Sequence, residues 1–197
     1  MKVKVKSPIQ GDLVEIVCRN RGVDHRNLDR FLTPDESAIQ SPLVYTNLQL
    51  ASETIVEAIV NNKKIGFVVD SDLDGYCSSA MFINYICQSF GYDNIVWFLH
   101  DEKEHGLTDN MMGKINASNV DVVILPDASS SDYEQHKILS EQGKVVIVID
   151  HHEAERFSES AIVVNNQLDN FGNKTLCGAG MVMKVMEFID AMYGFEN

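Results

Sequence analysis

The stretch "GFVVDSDLDGYCSSAMF" at residues 66–82 places Asp70, Asp72 and Asp74 at every second position. Three carboxylates within five residues indicate a site for a hard cation. The pattern D-x-D-x-D-G also opens an EF-hand calcium loop, which needs a bidentate Glu at its twelfth position and a helix on each side. Here the twelfth position is Met81, and the apolar, β-branched residues before the loop predict a buried strand. We therefore expect a strand that ends in an acidic loop and leads into a helix.

Two other predicted strands also end in acidic residues, at Asp127 and Asp150. Parallel strands bring their carboxyl ends to one edge of a sheet, so these side chains should converge there with the three-Asp loop. His151 and His152 follow directly and add imidazole nitrogens, a mixture that suits Mn²⁺ or a similar first-row ion better than Ca²⁺. Such a set can hold two ions roughly 3.5–4 Å apart, an arrangement used in phosphoryl transfer.

Each of these features has a simpler explanation when it is taken alone. A strand-end Asp is often a helix N-cap, and a single His is commonly a satisfied or solvent-facing side chain. Three acidic strand ends followed by a tandem His are harder to explain by capping.

The elements needed to position these residues follow from the periodicity. Alternating strand and helix patterns from residue 65 onward predict an α/β fold with a doubly wound parallel sheet. Gly91 and Gly143 stand where helix C-caps belong. The region with Pro34 and Pro42 is predicted to be an irregular connection. Strands are expected at 65–70, 94–99, 121–127, 144–150 and 161–165, and helices at about 9–20, 47–61, 76–90, 108–117, 132–142 and 179–193.

The composition is that of an ordinary globular protein. The 197 residues, 45% hydrophobic and 23% charged, are enough for one substantial domain. No apolar run approaches the roughly 20 residues of a membrane span, and the basic N-terminal residues lack the apolar core of a signal peptide. Cys18, Cys77, Cys87 and Cys177 lack C-x-x-C pairing, which favours reduced thiols in a cytoplasmic protein.

The net charge of −13 argues against a protein that coats nucleic acid non-specifically. Residues 1–60 contain 7 Lys/Arg and 8 Asp/Glu, about −1, so that about −12 falls on residues 61–197. This acidity is explained either by a solvated surface or by bound divalent cations.

Three segments resemble successive motifs of the DHH phosphoesterases: "VVDSDLDGYCSSA", "ILPDASSSD" and "VIDHHEAE". The family is named for an Asp-His-His triplet, here residues 150–152, and the resemblance covers nearly the whole chain. It implies a metal-dependent phosphoesterase with two ions, Mn²⁺ or Mg²⁺. By resemblance, the metal ligands and catalytic groups are Asp72, Asp74, Asp127 and His151, with Asp70 and Asp150 as ligands or close neighbours, while His152 contacts the substrate phosphate or orients the site.

Within this family, the region before the acidic loop is similar to the N-terminal segment of RecJ, a single-strand-specific exonuclease. The segment "LVEIVCRNRGVDHRNLDRFLTPDES" contains the R-G and F-L-x-P elements of that branch. Short-oligonucleotide and cyclic-dinucleotide phosphodiesterases and family II pyrophosphatases begin almost directly with the first motif. The stretch with "LCGAG" resembles the L-x-G-x-G of RecJ, in which Gly178 and Gly180 would let the backbone approach a phosphate; a simple tight turn is the alternative.

This resemblance implies an exonuclease acting on single-stranded DNA in repair or recombination, with replication or recombination proteins as partners. Two alternatives stay open: a phosphodiesterase for oligoribonucleotides or cyclic dinucleotides, and a family member that binds without catalysis. A haloacid-dehalogenase-type phosphotransferase is disfavoured, because Leu73 and Asp74 follow the D-x-D where a Thr or Val is expected.

The sequence departs from typical RecJ in two places. The segment "HDEKEHGLTD" is closer to phage-type members, which makes His100, Lys103 and His105 candidates for substrate binding, with surface exposure as the alternative. The family's last ligand Asp and its second, nucleic-acid-binding domain are expected after "AMYGFEN". We therefore interpret 1–62 as an N-terminal helical extension and 63–197 as the DHH catalytic lobe of a longer protein. We expect this lobe to be weakly active or inactive alone and to work with the C-terminal domain of the same protein.

Overall fold

A computed structural model describes residues 12–170 and 172–194, and the chain divides into two compact units, 1–40 and 41–197. The first unit contains two short helices, α1 (Leu13–Asn20) and α2 (Leu28–Leu32). The second contains helices α3 (Leu48–Val60), α4 (Leu73–Phe90), α5 (Asp109–Ser118), α6 (Tyr133–Glu141) and α7 (Gly178–Tyr193). Its strands are β1 (Ile65–Val69), β2 (Ile95–Leu99), β3 (Val122–Pro126), β4 (Val145–Asp150) and β5 (Ile162–Asn165).

The five strands form one parallel sheet in the order β2-β1-β3-β4-β5. The predicted α/β class and doubly wound sheet are therefore confirmed, and each strand lies within one residue of its predicted bounds. β1 and β3 are buried along their whole length, as expected for apolar, β-branched strands covered on both faces. The proposed domain division at residue 62 stays a prediction; α3 lies in the same compact unit as the sheet.

The two faces of the sheet carry separate apolar clusters, because successive strand residues point to opposite sides. On β3, Val122 and Ile124 pack with α3, α4 and α7, whereas Val123 and Leu125 pack with α5 and α6. Helices thus cover both faces, and the carboxyl ends of β1, β3 and β4 meet at one rim between the two layers.

The turn from β1 into α4 explains why α4 starts clearly before its predicted position. The helix begins at Leu73, three residues before the predicted position, because Asp72 is its N-cap. The Asp72 side chain accepts a hydrogen bond from the Gly75 N–H at 3.0 Å. At the other end Gly91 adopts a left-handed conformation, as predicted for a C-cap.

The segment predicted to be irregular instead contains short helical pieces. Besides α2 it forms 3₁₀ turns at His25–Asn27, Glu36–Ala38 and Pro42–Val44, which are capped by side chains of Asp or Ser. The start of the helix expected at residues 9–20 lies outside the described residues. Within the described part of the chain, no helix is long and apolar enough to cross a membrane.

A substitution at Ile124 tests whether the central strand β3 packs into the core. Its side chain is fully buried, so Ile124→Ala should lower the free energy of unfolding by about 2–5 kcal/mol in urea denaturation. Val145 is 39% exposed on the neighbouring strand, and Val145→Ala should cost less than about 1 kcal/mol. Equal losses for the two variants would contradict this packing.

Candidate active site

Six of the predicted site residues lie together at the carboxyl rim of the sheet. The His151 Nε2 atom is 3.1 Å from Asp127 Oδ1 and 3.6 Å from Asp74 Oδ2. Carboxylate oxygens of Asp70, Asp72 and Asp127 lie within 4.8 Å of one another. A second group within that distance combines Asp127 with His151 and His152. Asp127 thus belongs to both groups and stands at the centre of the site.

Asp127 is a fully buried carboxylate whose two oxygens have no hydrogen-bond partner among the described residues. Its backbone is in the left-handed region at φ 67° and is held by a 2.8 Å hydrogen bond from its N–H to the Ile149 carbonyl. Burial, reinforced by the charges of Asp74 and Asp72, raises the pKa of Asp127 to about 8. Unpaired oxygens in an acidic cluster with an imidazole fit a divalent cation, which would satisfy and neutralise them.

Asp74 is fixed by the start of α7. Its carboxylate accepts hydrogen bonds from the backbone N–H groups of Gly178 at 2.7 Å and Ala179 at 2.9 Å. Burial alone would raise the pKa of Asp74, but these two donors, together with Cys177 and the neighbouring His151, outweigh it and the pKa is lowered. Asp74 is therefore held ionised beside His151.

Two glycines allow the helices to approach the carboxylates this closely. A Cβ atom on Gly178 would overlap the Asp127 carboxylate, and one on Gly75 would overlap Asp70. A Cβ on Gly180 would meet only Leu176, at 3.3 Å. The predicted phosphate contact of Gly178 and Gly180 stays a prediction; in this structure the Gly178 N–H binds Asp74.

Asp150 organises the histidine pair that follows it. Its Oδ1 accepts from the backbone N–H groups of His151 at 2.7 Å and His152 at 3.2 Å, and lies 2.8 Å from His152 Nδ1. Its Oδ2 accepts from the Ser130 N–H at 3.1 Å. Burial raises the pKa of Asp150, but these bonds outweigh it and lower the pKa to about 2. With both oxygens occupied, Asp150 is better placed to position ligands than to be one.

Two half-exposed histidines face a cavity of about 350 Å³ beside the acidic cluster. The hydrogen bond to Asp150 raises the pKa of His152 to about 9, so that its ring is cationic at neutral pH. His105 Nδ1 lies 2.7 Å from Asp70 Oδ2 and repeats this carboxylate–histidine pairing. His105 therefore lies beside the acidic cluster and is also partly exposed, and its role in substrate binding stays a prediction. Surface exposure does not describe His100, whose side chain is 1% exposed.

The comparison with known families agrees with this geometry. Residues 64–197 match the DHH family, N-terminal domain. The chain belongs to the DHH family. Two curated relatives of this DHH chain bear names of exonucleases specific for single-stranded DNA. An SPbeta prophage-derived protein of Bacillus subtilis (strain 168) is 42% identical over 91% of the chain, and RecJ of Haemophilus influenzae is 26% identical over 92%. The chain spans about 30% of the length of these relatives.

Solved structures share the fold of this DHH domain. An exonuclease RecJ bound to manganese has a TM-score of 0.71 at 21% identity, covering 80% of this chain and 41% of that chain. RecJ of Thermus thermophilus in complex with Mn²⁺ has a TM-score of 0.71 at 20% identity, and the match covers 93% of this chain and 26% of that chain.

The structure adds site residues that the sequence analysis missed. Asn165, at the end of β5, is fully buried and donates to Ser130 Oγ at 2.6 Å and to the His152 carbonyl at 2.8 Å. Ser129 lines the cavity in a left-handed conformation at φ 81°. The signal for Asn165 was a polar residue at the end of a predicted strand, the same signal that identified Asp127 and Asp150 of the DHH motifs.

Gly178 and Gly180 provide a matched pair of variants. Gly178→Ala should weaken Mn²⁺ binding about 10-fold or more in calorimetry, because the new methyl group displaces Asp127 or Asp74. Gly180→Ala adds the same methyl group to the same helix away from the carboxylates and should leave the affinity nearly unchanged. Equal effects would contradict the close approach of α7.

Asp127→Asn tests whether the charge of Asp127 destabilises the metal-free protein. Since the pKa of Asp127 is raised from 3.8 to about 8, the folded state retains a proton between these pH values that the unfolded state releases, and its stability falls as the pH rises. The variant lacks this titration. In EDTA, its stability relative to the parent should therefore increase from pH 5 to pH 8, by at least about 1 kcal/mol in chemical denaturation.

Asp93→Asn, at an exposed position outside the site, is the control for this measurement and should show no such trend. The raised pKa of Asp127 would be contradicted if the stability of Asp127→Asn relative to the parent stayed constant or decreased as the pH rises.

Proposed function

We propose that this chain is the catalytic lobe of a metal-dependent phosphoesterase that hydrolyses single-stranded DNA from an end. The observation that carries the proposal is the convergence of Asp72, Asp74, Asp127 and His151, in which the buried oxygens of Asp127 accept no hydrogen bond from the described residues. The names of the curated relatives, single-strand DNA-specific exonucleases, support the substrate class. No feature of the described site residues favours a ribonucleotide or cyclic-dinucleotide substrate, and the presence of Asp72, Asp74, Asp127 and His151 disfavours a lobe that only binds.

The proposed cofactor is Mn²⁺ or Mg²⁺ in a two-ion site. RecJ structures with Mn²⁺ and with Mg²⁺ support this choice, as does the mixture of carboxylate and imidazole ligands. Asp127 would contribute to both ions because it belongs to both ligand groups, one with Asp70 and Asp72 and one with His151. When bound, the ions would supply an activated water and neutralise charge on the phosphate oxygens.

The side chains around the ions have separable tasks in this proposal. Asp74, held ionised by the start of α7, keeps negative charge next to His151. His152, cationic and oriented by Asp150, faces the cavity where it would donate a hydrogen bond to a phosphate oxygen. His105, oriented by Asp70, would do so from another side of the same cavity.

We also propose the setting in which the lobe works. A cytoplasmic location, roles in DNA repair and recombination, and contacts with replication or recombination proteins follow from the RecJ resemblance. The excess of negative charge on residues 61–197 favours a further, nucleic-acid-binding domain as the source of affinity for the phosphate backbone. This lobe alone should accordingly be weakly active.

A single-turnover assay tests the chemistry despite weak binding. The chain, in excess over end-labelled single-stranded DNA, should release short products from an end with Mn²⁺, and Asp72→Ala and His151→Ala should each slow this about 100-fold or more. Asp93→Ala removes an exposed carboxylate outside the site and should leave the rate unchanged.

Matched RNA and a cyclic dinucleotide serve as competing substrates in the same assay. Faster cleavage of either would replace the proposed substrate. Activity that survives Asp72→Ala and His151→Ala would remove the proposed site.

A further inference from the structure

An apolar groove of about 340 Å³ lies between α4 and the edge strand β2, outside the acidic site. Its helix wall is formed by Tyr76, Ala80 and Ile83, which are spaced to share one helix face. Its strand wall is formed by Trp97 and Leu99, two residues apart and therefore on the same face of the sheet. The volume falls within the roughly 300–1,000 Å³ of small-molecule sites.

The groove exposes two aromatic rings. Trp97 is 58% exposed and Tyr76 is 48% exposed. Ile95, on the same face of β2 as Trp97, packs against the cluster that includes α4. The groove also contains Ser79, which is 1% exposed and whose hydroxyl has no hydrogen-bond partner among the described residues. A buried, unpaired hydroxyl beside two open rings indicates a ligand with both an apolar face and polar edges.

The groove lies one turn of α4 from the proposed catalytic site, since Tyr76 of its lining is four residues after Asp72. The Tyr76 N–H donates to the Asp72 carbonyl at 3.0 Å, so the ring projects from the same first turn of α4 that carries Asp72 and Asp74. A strand whose phosphate lies at the acidic cluster can therefore place a neighbouring nucleotide at the mouth of the groove.

The charge of the lining decides which part of a nucleotide fits. No Lys, Arg or His is among the residues that line the groove, which leaves a phosphate without a counter-charge there. A base has the required flat apolar face, and its edge can bond to the Asn84 amide and the Ser79 hydroxyl.

We propose that this groove binds a nucleobase of the single-stranded substrate, adjacent to the phosphate that is cleaved, by stacking on Trp97 and Tyr76. The proposal rests on the proposed function, because it takes the same DNA strand as the ligand. Stacking of this kind tolerates every base and rejects a paired one, since a base in a duplex keeps both its faces covered. The groove would thus contribute to a preference for single strands that an acidic lobe cannot obtain from phosphate contacts.

Trp97 is the one tryptophan in the sequence, so its fluorescence reports directly on the groove. The metal-free chain, kept in EDTA to prevent hydrolysis, is titrated with oligothymidylate of about eight nucleotides and with an abasic strand of the same length. We expect saturable quenching of Trp97 by the oligothymidylate and little by the abasic strand.

Variants are compared by the anisotropy of the labelled oligothymidylate. Tyr76→Ala and Trp97→Ala should each bind about 5- to 100-fold more weakly, whereas Tyr76→Phe and Trp97→Phe, which keep a ring, should bind nearly as the parent does. Ile138→Ala removes a similarly exposed apolar side chain on α6 and should not alter binding.

Two titration results would overturn the proposal: no quenching by oligothymidylate, or equal quenching by the abasic strand. A shift of Trp97 emission that depends on protein concentration in the absence of DNA would also overturn it, because that is expected of two copies paired through the groove. The single-turnover assay separates this failure from a failure of the proposed function. End-directed cleavage with an unquenched Trp97 would reject the groove alone, and saturable quenching without cleavage would reject the exonuclease alone.

Discussion

The burial of Asp127 among other carboxylates is the interaction on which the site depends. A buried, unpaired charge is costly, so the group must either retain a proton or meet a cation. Its pKa near 8 shows that the protein without metal does the former. Few structural roles require such an arrangement. The cost becomes understandable if the folded protein exchanges that proton for a divalent cation.

The fold keeps this unfavourable cluster in place with contacts on every side. β3 delivers Asp127 to the rim in a left-handed conformation, and α7 approaches it so closely that only a glycine fits at position 178. The same helix start holds Asp74 through two N–H donors. At the ends of β4 and β5, the side chains of Asp150 and Asn165 hydrogen-bond to the backbone of His151 and His152. Residues outside the ligand set thus do most of the positioning.

Much of this arrangement could be predicted from the sequence, because it depends on local patterns. Apolar β-branched runs located all five strands, and their acidic ends located Asp70, Asp127 and Asp150. Long-range contacts could not be predicted in the same way. The pairing of His105 with Asp70 joins residues 35 apart, and the hydrogen bond from Gly178 to Asp74 spans 104 residues. No local pattern encodes such partners; the early start of α4 was missed because Asp72 serves as both cap and site residue.

Calorimetric titration of the chain with Mn²⁺ and Ca²⁺, with Asp127→Asn in parallel, tests the central claim most directly. The account predicts that Mn²⁺ binds more tightly than Ca²⁺, because His151 adds a nitrogen ligand. It also predicts that Mn²⁺ binding releases protons near pH 7, where Asp127 is still protonated, and that Asp127→Asn abolishes that release. Tight Ca²⁺ binding with none for Mn²⁺, or Mn²⁺ binding and proton release unaffected in Asp127→Asn, would contradict it.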